Sequence, residues 1–348
     1  MYILSINSGS QTLKYRLFNA ELKLIKKGGV DKIGFGKIKN HHQAFELCVD
    51  EISDYKEKIS VIGHRYVNGG RKFINPTVMK KKEVKEIKKL NSLAPLHNPH
   101  NLQGIVAAGR ILPKAVNVAV FDTCYYKELE EYVYRYPINK ELADKYGYRK
   151  FGFHGISHKY VCHQAAELLK KDIKKLKLIS VHLGGGASIT ATKFGRAVDT
   201  SMGFTPLEGL MMMTRSGDVD PGMLLDLAGQ KKWKVSRINE LLNYKSGIYG
   251  ICGKKGMLDV LENLDKNKTA LAFKMYIYRI KKYIGAYFAA LNGCHAIVFT
   301  GSVGSGKAKT RNEVLKNMDF LKNVKILPIK TNEEYLIAKE ALEVFENL

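Results

Sequence analysis

The stretch ILSINSGSQTLKYRLF at residues 3–18 decides the fold, because LISVHLGGGASITATKF at residues 178–194 repeats its plan. Each stretch begins with an apolar, strand-like segment, ends that segment on a polar residue (Asn7 and His182), turns through glycine and enters a second strand-like segment. Two hairpins of one design favour a duplicated domain with a cleft between the copies, although two such hairpins can also arise by chance in a chain of 348 residues.

Segments of strand and helix character alternate along the rest of the chain, which favours an α/β architecture of about two domains. The predicted strands include Tyr2–Ile6, Leu13–Phe18, Val116–Phe121, Leu178–His182 and Ala296–Thr300. The predicted helices include Leu102–Leu112, Ser157–Leu169, Ala270–Leu291 and Asn332–Phe345.

The net charge of +24, from 57 Lys and Arg against 33 Asp and Glu, resembles that of a nucleic-acid-binding protein. The composition argues against that class, because 46 of the basic residues are Lys and only 11 are Arg, the residue that forks onto phosphates and base edges. Lysine runs such as Lys80–Lys82 lie in amphipathic segments and are interpreted as solvated helix faces. We therefore expect no nucleic-acid partner.

The sequence gives no sign of a membrane or secreted location. No window reaches 18 consecutive apolar residues, and the N-terminal residues lack the basic region and cleavage site of a signal peptide. The five cysteines form no CxxC pair, as expected of reduced thiols in a cytoplasm and not of disulfides or a zinc site. We expect a cytoplasmic protein without a membrane partner.

The first glycine turn, Asn7–Lys14, combines backbone N–H groups with the hydroxyls of Ser10 and Thr12 and the ammonium of Lys14. Such a turn can hold phosphate oxygens, because glycine permits close approach and turn amides form an anion nest. The alternative interpretation is a plain hairpin turn.

Two further glycine clusters, Gly184-Gly185-Gly186 and Gly301-Ser302-Val303-Gly304, follow apolar strands. Each suits phosphate or ribose at the end of a strand, although glycine turns after strands are common. Three such turns in one chain favour a nucleotide-binding cleft. The segment Ser302–Lys307 lacks the spacing of a P-loop.

Four charged or titratable residues stand at element boundaries. Arg65 and Arg215 each lie near glycine, and two guanidiniums could clamp a transferring phosphoryl group or, alternatively, hold loop carbonyls. His154 precedes a predicted helix, where an imidazole could donate to an anion or serve a structural role. Asp122 ends a strand, either as a helix cap or as a carboxylate that orients substrate or metal.

Taken together, the motifs resemble those of the acetate kinase family, within the acetate and butyrate kinases of the actin, sugar-kinase and Hsp70 superfamily. The resemblance runs nearly end to end, through INSGSQTLKY, GHRYVNGG, APLHNPHNL, VAVFDT, YGYRKFGFHGISHKYV, HLGGGASI, TSMGFTPLEGLMMMTRSGDVDPG, YIGAY, AIVFTG and TNEEYLIA. The most specific of these are FGFHGISH and TSMGFTPLEGLMMMTRSGDVDP.

This resemblance implies a duplicated ribonuclease-H-like (actin-like ATPase) fold, with two lobes around a nucleotide cleft. The first lobe would comprise residues 1–122 plus 334–348. The second, residues 123–333, would carry the nucleotide side and the interface of a homodimer.

The resemblance also implies reversible, in-line phosphoryl transfer between ATP and acetate with Mg²⁺ or Mn²⁺, giving acetyl phosphate and ADP. A carboxylate is already a nucleophile, so catalysis would rest on positioning and electrostatics. The implied catalytic residues are Arg65, Asp122, His154 and Arg215. Acetate would be bound by Arg65, Val67, Leu96, His97, Phe153 and Pro206. The phosphates would be bound by Ser10, Thr12, Lys14, His182, Gly184, Gly185, Gly186, Gly301 and Gly304, and the metal by Asn7 and Glu333.

The chain departs from the family pattern chiefly on the nucleoside side. Gly185 replaces the usual Asn, Ser305-Gly306 replaces a Glu-Asn pair, and Met257-Leu258-Asp259 aligns with an Asp-Met/Phe-Arg segment. In addition, Asn68 replaces a His, and the segment between Lys14 and Arg65 is shorter than usual.

These departures leave three alternatives open. The phosphoryl donor could be GTP, ITP or pyrophosphate. The enzyme could instead be a propionate or butyrate kinase, which Gly185 supports and which TSMGFTPLEG and the small acyl pocket oppose. A non-catalytic nucleotide- or nucleic-acid-binding protein on a degenerate kinase scaffold is the third. Retention of the charged residues argues against it.

Overall fold

The computed structural model describes residues 1–9, 11–35 and 37–348 as two sheets with flanking helices. The strands are Tyr2–Ser8 (β1), Thr12–Asn19 (β2), Leu24–Asp31 (β3), Ile59–Tyr66 (β4), Thr77–Val78 (β5), Val116–Phe121 (β6), Lys177–Leu183 (β7), Ala187–Lys193 (β8), Arg196–Thr200 (β9), Ala296–Thr300 (β10) and Lys325–Pro328 (β11). The α-helices are His41–Asp50 (α1), Lys81–Lys88 (α2), Asn98–Ile111 (α3), Glu131–Tyr134 (α4), Lys140–Tyr146 (α5), Gly155–Leu168 (α6), Pro221–Gly229 (α7), Val235–Tyr244 (α8), Gly247–Cys252 (α9), Met257–Glu262 (α10), Asn267–Ala290 (α11), Gly301–Gly304 (α12), Ala308–Leu315 (α13) and Glu333–Glu346 (α14). Among the described helices, none is both long and apolar enough to cross a bilayer.

The two sheets share one strand order. The first runs β3-β2-β1-β4-β6-β5, in which β1, β2 and β3 are antiparallel neighbours and β1, β4 and β6 are parallel. The second, read from its β9 edge, runs β9-β8-β7-β10-β11 with the same pattern of directions. Strand for strand, the second sheet repeats the first five strands of the first sheet. The duplication predicted from the two hairpin sequences is therefore confirmed.

Packing divides the described chain into two compact units. The first unit consists of Met1–Lys127, Phe153–Ile156 and Asn332–Leu348, and the second consists of Glu128–Gly152 and Ser157–Thr331. The lobe limits implied by the family resemblance, 1–122 with 334–348 and 123–333, stay a prediction.

Helices cover the central strands of the first sheet. Phe45 of α1 and Ala107 of α3 pack with Leu4 and Leu13 in one core cluster, while α14 packs against β1, β4 and β6. Strand β4 is buried along nearly its whole length, as expected of a parallel strand inside a helix-covered sheet. This packing fixes the carboxyl ends of β1, β4 and β6.

The second sheet is anchored in the same manner. Val161 and Ala165 of α6 pack with Leu178 of β7 and Val298 of β10 in a fully buried cluster. The carboxyl ends of β7 and β10 are thereby held side by side.

Candidate active site

The first unit brings three of the predicted site residues to one sheet edge. Asn7 lies near the carboxyl end of β1, Arg65 near that of β4, and Asp122 directly follows β6. These strands are parallel neighbours, so their carboxyl ends meet, and ligands of open α/β sheets bind at that edge.

Two carboxylates bind the guanidinium of Arg65. Its Nε and Nη2 donate to the two carboxylate oxygens of Asp122, at 3.3 and 2.7 Å, and its Nη1 lies 3.7 Å from Oε2 of Glu333, the first residue of α14. Burial opposes the charge of Arg65, but the carboxylates outweigh it and raise the pKa of the guanidinium. A bidentate fork restricts both partners, so Arg65 and the buried Asp122 are fixed in mutual orientation.

The segment Phe153–Gly155 is pressed against the backbone of Asp122. A Cβ on Gly155 would lie 2.0 Å from the Asp122 carbonyl oxygen, so only glycine fits there. Tyr126 donates a hydrogen bond to the Phe153 carbonyl at 2.8 Å. His154 itself has a φ of 56°, in the left-handed region that non-glycine residues rarely adopt. These contacts hold the backbone around His154 against the backbone of Asp122, the residue that binds Arg65.

The turn between β1 and β2 is closed by a hydrogen bond from the Gly9 N–H to the Thr12 carbonyl at 2.8 Å. Asn7 pairs with Lys14 across the hairpin. Thr12 is half-buried and Lys14 is exposed. Both residues predicted to bind phosphate therefore lie at the same end of the hairpin as Asn7. Ser10 lies outside the described residues.

The residues predicted to form the acyl pocket are divided between the units. Val67 and Phe153 are buried in the first unit, where His97 is half-buried and Leu96 is 40% exposed. Pro206 belongs to the second unit.

Asn98 and Asn101, which are not among the predicted site residues, fix the segment that contains Val67. Oδ1 of Asn101 accepts from the Val67 N–H, and Oδ1 of Asn98 accepts from the Asn68 N–H, each at 3.1 Å. Both asparagines stand in the LHNPHNL motif at the start of α3. Their role could have been predicted from the sequence, because two amide side chains one helical turn apart stand next to a predicted loop.

In the second unit, the two later glycine clusters are neighbours. Strands β7 and β10 are parallel, and His182 pairs with Thr300. Gly301 follows with a φ of 78°, and a Cβ there would lie 2.4 Å from the Leu183 carbonyl oxygen, so the turn requires glycine. The Gly184 N–H donates to the Gly186 carbonyl at 2.9 Å. Both clusters therefore occupy the carboxyl edge of the second sheet, and their role in nucleotide binding stays a prediction.

Two of these glycines differ in exposure. Gly185 is exposed, with no atom within 4 Å of a Cβ built there, whereas the buried Gly304 at the end of α12 would place a Cβ 3.3 Å from the Val181 carbonyl oxygen. Gly185 thus leaves open space beside its turn.

His182 stands in a network of hydroxyl and imidazole groups. Its Nδ1 lies 2.9 Å from Oγ of Ser157, and its ring centroid is 6.2 Å from that of His158. Both ring nitrogens of His158 are bound to serine hydroxyls, those of Ser180 at 2.7 Å and Ser188 at 2.8 Å. Burial holds the pKa of His158 well below its ordinary value, so this ring is neutral and structural.

Arg215 has a different environment from Arg65. Its Nη1 donates to the Pro206 carbonyl at 2.9 Å and contacts Sδ of Met212 at 3.6 Å. Within the described part of the chain, no carboxylate lies at ion-pair distance from it. Burial lowers the pKa of Arg215, but arginine keeps its proton in proteins. One nitrogen thus holds a loop carbonyl, as the alternative interpretation allowed, while the charge remains unbalanced by any described carboxylate.

The donor set at the first sheet edge suits a hard cation. Asn7, Asp122 and Glu333 offer amide and carboxylate oxygens, the ligands that Mg²⁺ prefers. No group of three or more His, Cys, Asp or Glu side chains among the described residues could hold a metal by itself. The protein share of a metal site here would therefore be small, as is usual where nucleotide phosphates and waters supply the remaining ligands.

Comparison with known proteins identifies the family of this chain. The model of the acetokinase family matches residues 2–333. An acetate kinase from Acetivibrio thermocellus is 42% identical, with all of both chains covered. The crystal structure of Porphyromonas gingivalis acetate kinase superposes with a TM-score of 0.91 at 36% identity over 99% of both chains. A propionate kinase from Francisella tularensis gives 0.91 at 34% identity, covering 98% of this chain and 99% of its own.

These similarities cover both sheets, and they confirm the actin-like fold and the family that the motifs indicated. The chain belongs to the acetokinase family.

Proposed function

We propose that this chain catalyses reversible, in-line phosphoryl transfer between ATP and acetate. An acetate oxygen attacks the γ-phosphorus, the bond from that phosphorus to the bridging oxygen of ADP breaks, and acetyl phosphate and ADP leave. The observation that carries the proposal is the placement of Asn7, Arg65 and Asp122 at the carboxyl ends of three adjacent parallel strands.

The cationic and imidazole side chains take the electrostatic roles. Arg215 binds the acetate carboxylate and the transferring phosphoryl oxygens, because its charge is balanced by no described carboxylate. Arg65 binds the same groups from an orientation fixed by Asp122. His154 donates to the phosphoryl group in the transition state. Such preorganised donors act where charge is spread over the equatorial oxygens.

Smaller groups position the two substrates. Val67, Leu96, His97 and Phe153 contact the acetate methyl, and Pro206 is a further expected contact. The phosphates lie along Thr12 and Lys14, with Ser10 as a further expected contact, and on the turns of His182, Gly184–Gly186, Gly301 and Gly304.

Asn7, Asp122 and Glu333 would hold Mg²⁺, or Mn²⁺, through oxygen atoms. The cation would supply neutralisation of phosphate charge. Asp122 also binds Arg65, so its role in orientation does not depend on the metal.

The proposal is tested by acetyl phosphate formation from acetate and ATP, trapped as the hydroxamate. Activity that requires a divalent cation is the expected result. Purified protein that forms no acyl phosphate with ATP, GTP, ITP or pyrophosphate would overturn the proposal. Nucleotide binding without turnover would then favour the non-catalytic alternative.

The preference for a phosphoryl donor is the property that the departures from the family pattern concern most. Asp259 is paired with Lys254 at 2.8 Å, and Arg311 donates to the carbonyls of Gly304 and Ser305 at 2.9 Å. In both replaced segments on the nucleoside side, polar groups are thus bonded to other residues of the chain. We propose a relaxed or altered donor preference, and a strict preference for ATP with ordinary affinity in a donor panel would contradict it.

Propionate is a second acceptor to test, because the Francisella tularensis propionate kinase superposes as well as the acetate kinase does. One methylene changes discrimination by about 1–3 kcal/mol in an apolar pocket, so propionate should react more slowly than acetate.

A homodimer formed through the second unit is the proposed assembly. Large apolar side chains of that unit are exposed, among them Leu225, Val235 and Tyr278 at 73%, 78% and 64%. The proposed interface would bury side chains of this kind. Light scattering after gel filtration would give twice the chain mass, and a monomer at micromolar concentration would contradict the proposal.

The proposed location is the cytoplasm. All five cysteines are described, and none forms a disulfide, which agrees with a reducing compartment.

A further inference from the structure

Asn101, in the first turn of α3, joins two separate segments of the first unit. It is 2% exposed. Its Nδ2 donates to the Ser8 carbonyl at 2.6 Å, and its Oδ1 accepts from the Val67 N–H at 3.1 Å. A carbonyl only accepts and a backbone N–H only donates, so one orientation of the amide satisfies both contacts. The side chain therefore acts as a bridge of fixed polarity between the end of β1 and the residue after β4.

Each end of this bridge belongs to a part of the proposed active site. Ser8 lies within the turn Asn7–Lys14, which is proposed to carry metal and phosphate contacts, and Val67 is proposed to contact the acetate methyl. We propose that Asn101 is a positioning residue. It sets the phosphate turn (residues 7–14) and the acyl-binding segment (residues 67 and 68) relative to each other. This inference rests on the proposed function.

The turn has other supports, but they do not reach the acyl-binding segment. Nε2 of His41 lies 2.7 Å from the Gly9 carbonyl oxygen, and the Ile33 N–H donates to the Gln11 carbonyl at 3.0 Å. Asn101 therefore adds a side-chain link between the turn and Val67 to the backbone pairing of β1 with β4. In-line transfer is sensitive to such shifts, since an error of 1 Å can cost about 100-fold in rate.

Asn98 offers a matched control on the same helix. It is equally buried and also an asparagine, but its side-chain hydrogen bonds go to both backbone groups of Asn68 and to the Leu90 carbonyl. It supports the acyl-binding segment without bonding to the phosphate turn.

The test compares Asn101→Ala, Asn101→Asp and Asn98→Ala in the full-length enzyme with acetate and the best donor. Asn101→Ala should lower kcat by about 100-fold and raise KM for both substrates, because both segments lose their link. Asn98→Ala should raise KM for acetate and leave KM for the donor within about twofold of wild type.

Asn101→Asp gives a readout that a purely structural role would not move. A protonated carboxyl has one O–H donor and one carbonyl acceptor, as the amide has in this site, and burial favours the protonated form. The ionised form places a second acceptor against the Ser8 carbonyl. Relative to wild type, kcat of this variant should therefore rise as the pH falls from 8 to 5.5.

Each other outcome decides against the inference. Wild-type kinetics in Asn101→Ala, a change in one KM alone, or a pH-independent ratio for Asn101→Asp overturns the positioning role while the proposed function stands. Loss of folded protein in both Asn101 variants, seen by circular dichroism, assigns Asn101 to stability and also overturns it. Wild-type protein that is inactive with every donor overturns the proposed function first.

Discussion

Arg65 and Arg215 are the same residue type with opposite electrostatic surroundings. Arg65, in the first unit, is forked by Asp122 and lies near Glu333. Arg215, in the second unit, donates to a carbonyl, and none of the carboxylates that the structure describes pairs with it. Counting these partners, the first arginine sits in a group of net charge −1 and the second remains a cation.

This difference suits the two arginines to two tasks, one to hold a fixed geometry and the other to attract an anion. A guanidinium that is paired with carboxylates is held in place but has less charge to offer an anion, whereas a half-buried cation without such a partner is costly until an anion arrives. Arg215 is therefore expected to contribute more to binding of the transition state. Arg65 is expected to contribute through its fixed geometry.

The largest effect should follow Arg215→Ala. In the role proposed for Arg215, loss of the guanidinium should cost on the order of 10³-fold or more in kcat, about 4 kcal/mol. Arg215→Lys should recover only part of it, because an ammonium cannot form a fork. Initial rates of hydroxamate formation measure both.

Arg237→Ala is the control for this prediction. Arg237 is exposed and stacks on Trp233 at 3.6 Å, in the same unit, and its loss should leave kcat within twofold of wild type. If Arg215→Ala keeps more than a tenth of wild-type kcat, the larger contribution expected of Arg215 to transition-state binding is contradicted.

Asp122→Asn should come next, with kcat about 100-fold lower, because Arg65 loses its fork and shifts from its orientation. Glu333→Gln should cost less, since Glu333 is the more distant partner, at 3.7 Å, and is 15% exposed. Steady-state kinetics at saturating substrates rank the two variants. Equal losses, or a larger loss for Glu333→Gln, would contradict the division of roles around Arg65.

Gly155→Ala should destabilise the first unit by about 2–3 kcal/mol. The added Cβ would lie 2.0 Å from a backbone oxygen that no side-chain rotation can move. The matched control is Gly109→Ala in α3, where nothing lies within 4 Å of the added methyl and where alanine should stabilise the helix by about 0.5–1 kcal/mol. Urea unfolding gives both values, and the same sign for the two variants would refute the steric argument.

The smallest effect concerns pH. Burial lowers the pKa of His64, next to Arg65 in β4, to about 4. Because the unfolded chain takes up this proton near pH 6.5, stability falls as the pH drops from 6.5 towards 4, by about 2 kcal/mol at pH 5. In His64→Gln this part of the pH dependence should be absent. If urea unfolding between pH 8 and 5 gives parallel curves for variant and wild type, His64 is not the titrating group.

The strands and their strand-end residues were accessible from the sequence. Val116–Phe121 and Ala296–Thr300 were predicted with the bounds that the structure gives, because continuous apolar runs between turn signals are typical of buried parallel strands. The strand β3 was not among the predictions. Its sequence, LIKKGGVD, lacks a clean alternation, and it is held by pairing with β2.

The contacts of the site residues could not be read from the sequence. Asp122 was predicted as either a cap or a carboxylate with a role in the site, and only its position after β6, beside the end of β4, reveals the fork with Arg65. Asn101 was missed for the same reason. Its two partners lie 93 and 34 residues away along the chain, and spacing within a motif carries no information about such distances.

The division of the chain also has a consequence for the order of synthesis. The first unit includes residues 332–348, and Arg16 of β2 donates to Asn332 at 2.7 Å and pairs with Glu334 at 3.3 Å. Those residues leave the ribosome after the whole second unit. Because domains fold as units during translation, we expect the second unit to be complete while the first still lacks α14. The nascent chain would then bring Glu333 to Arg65 only after the second unit has been synthesised.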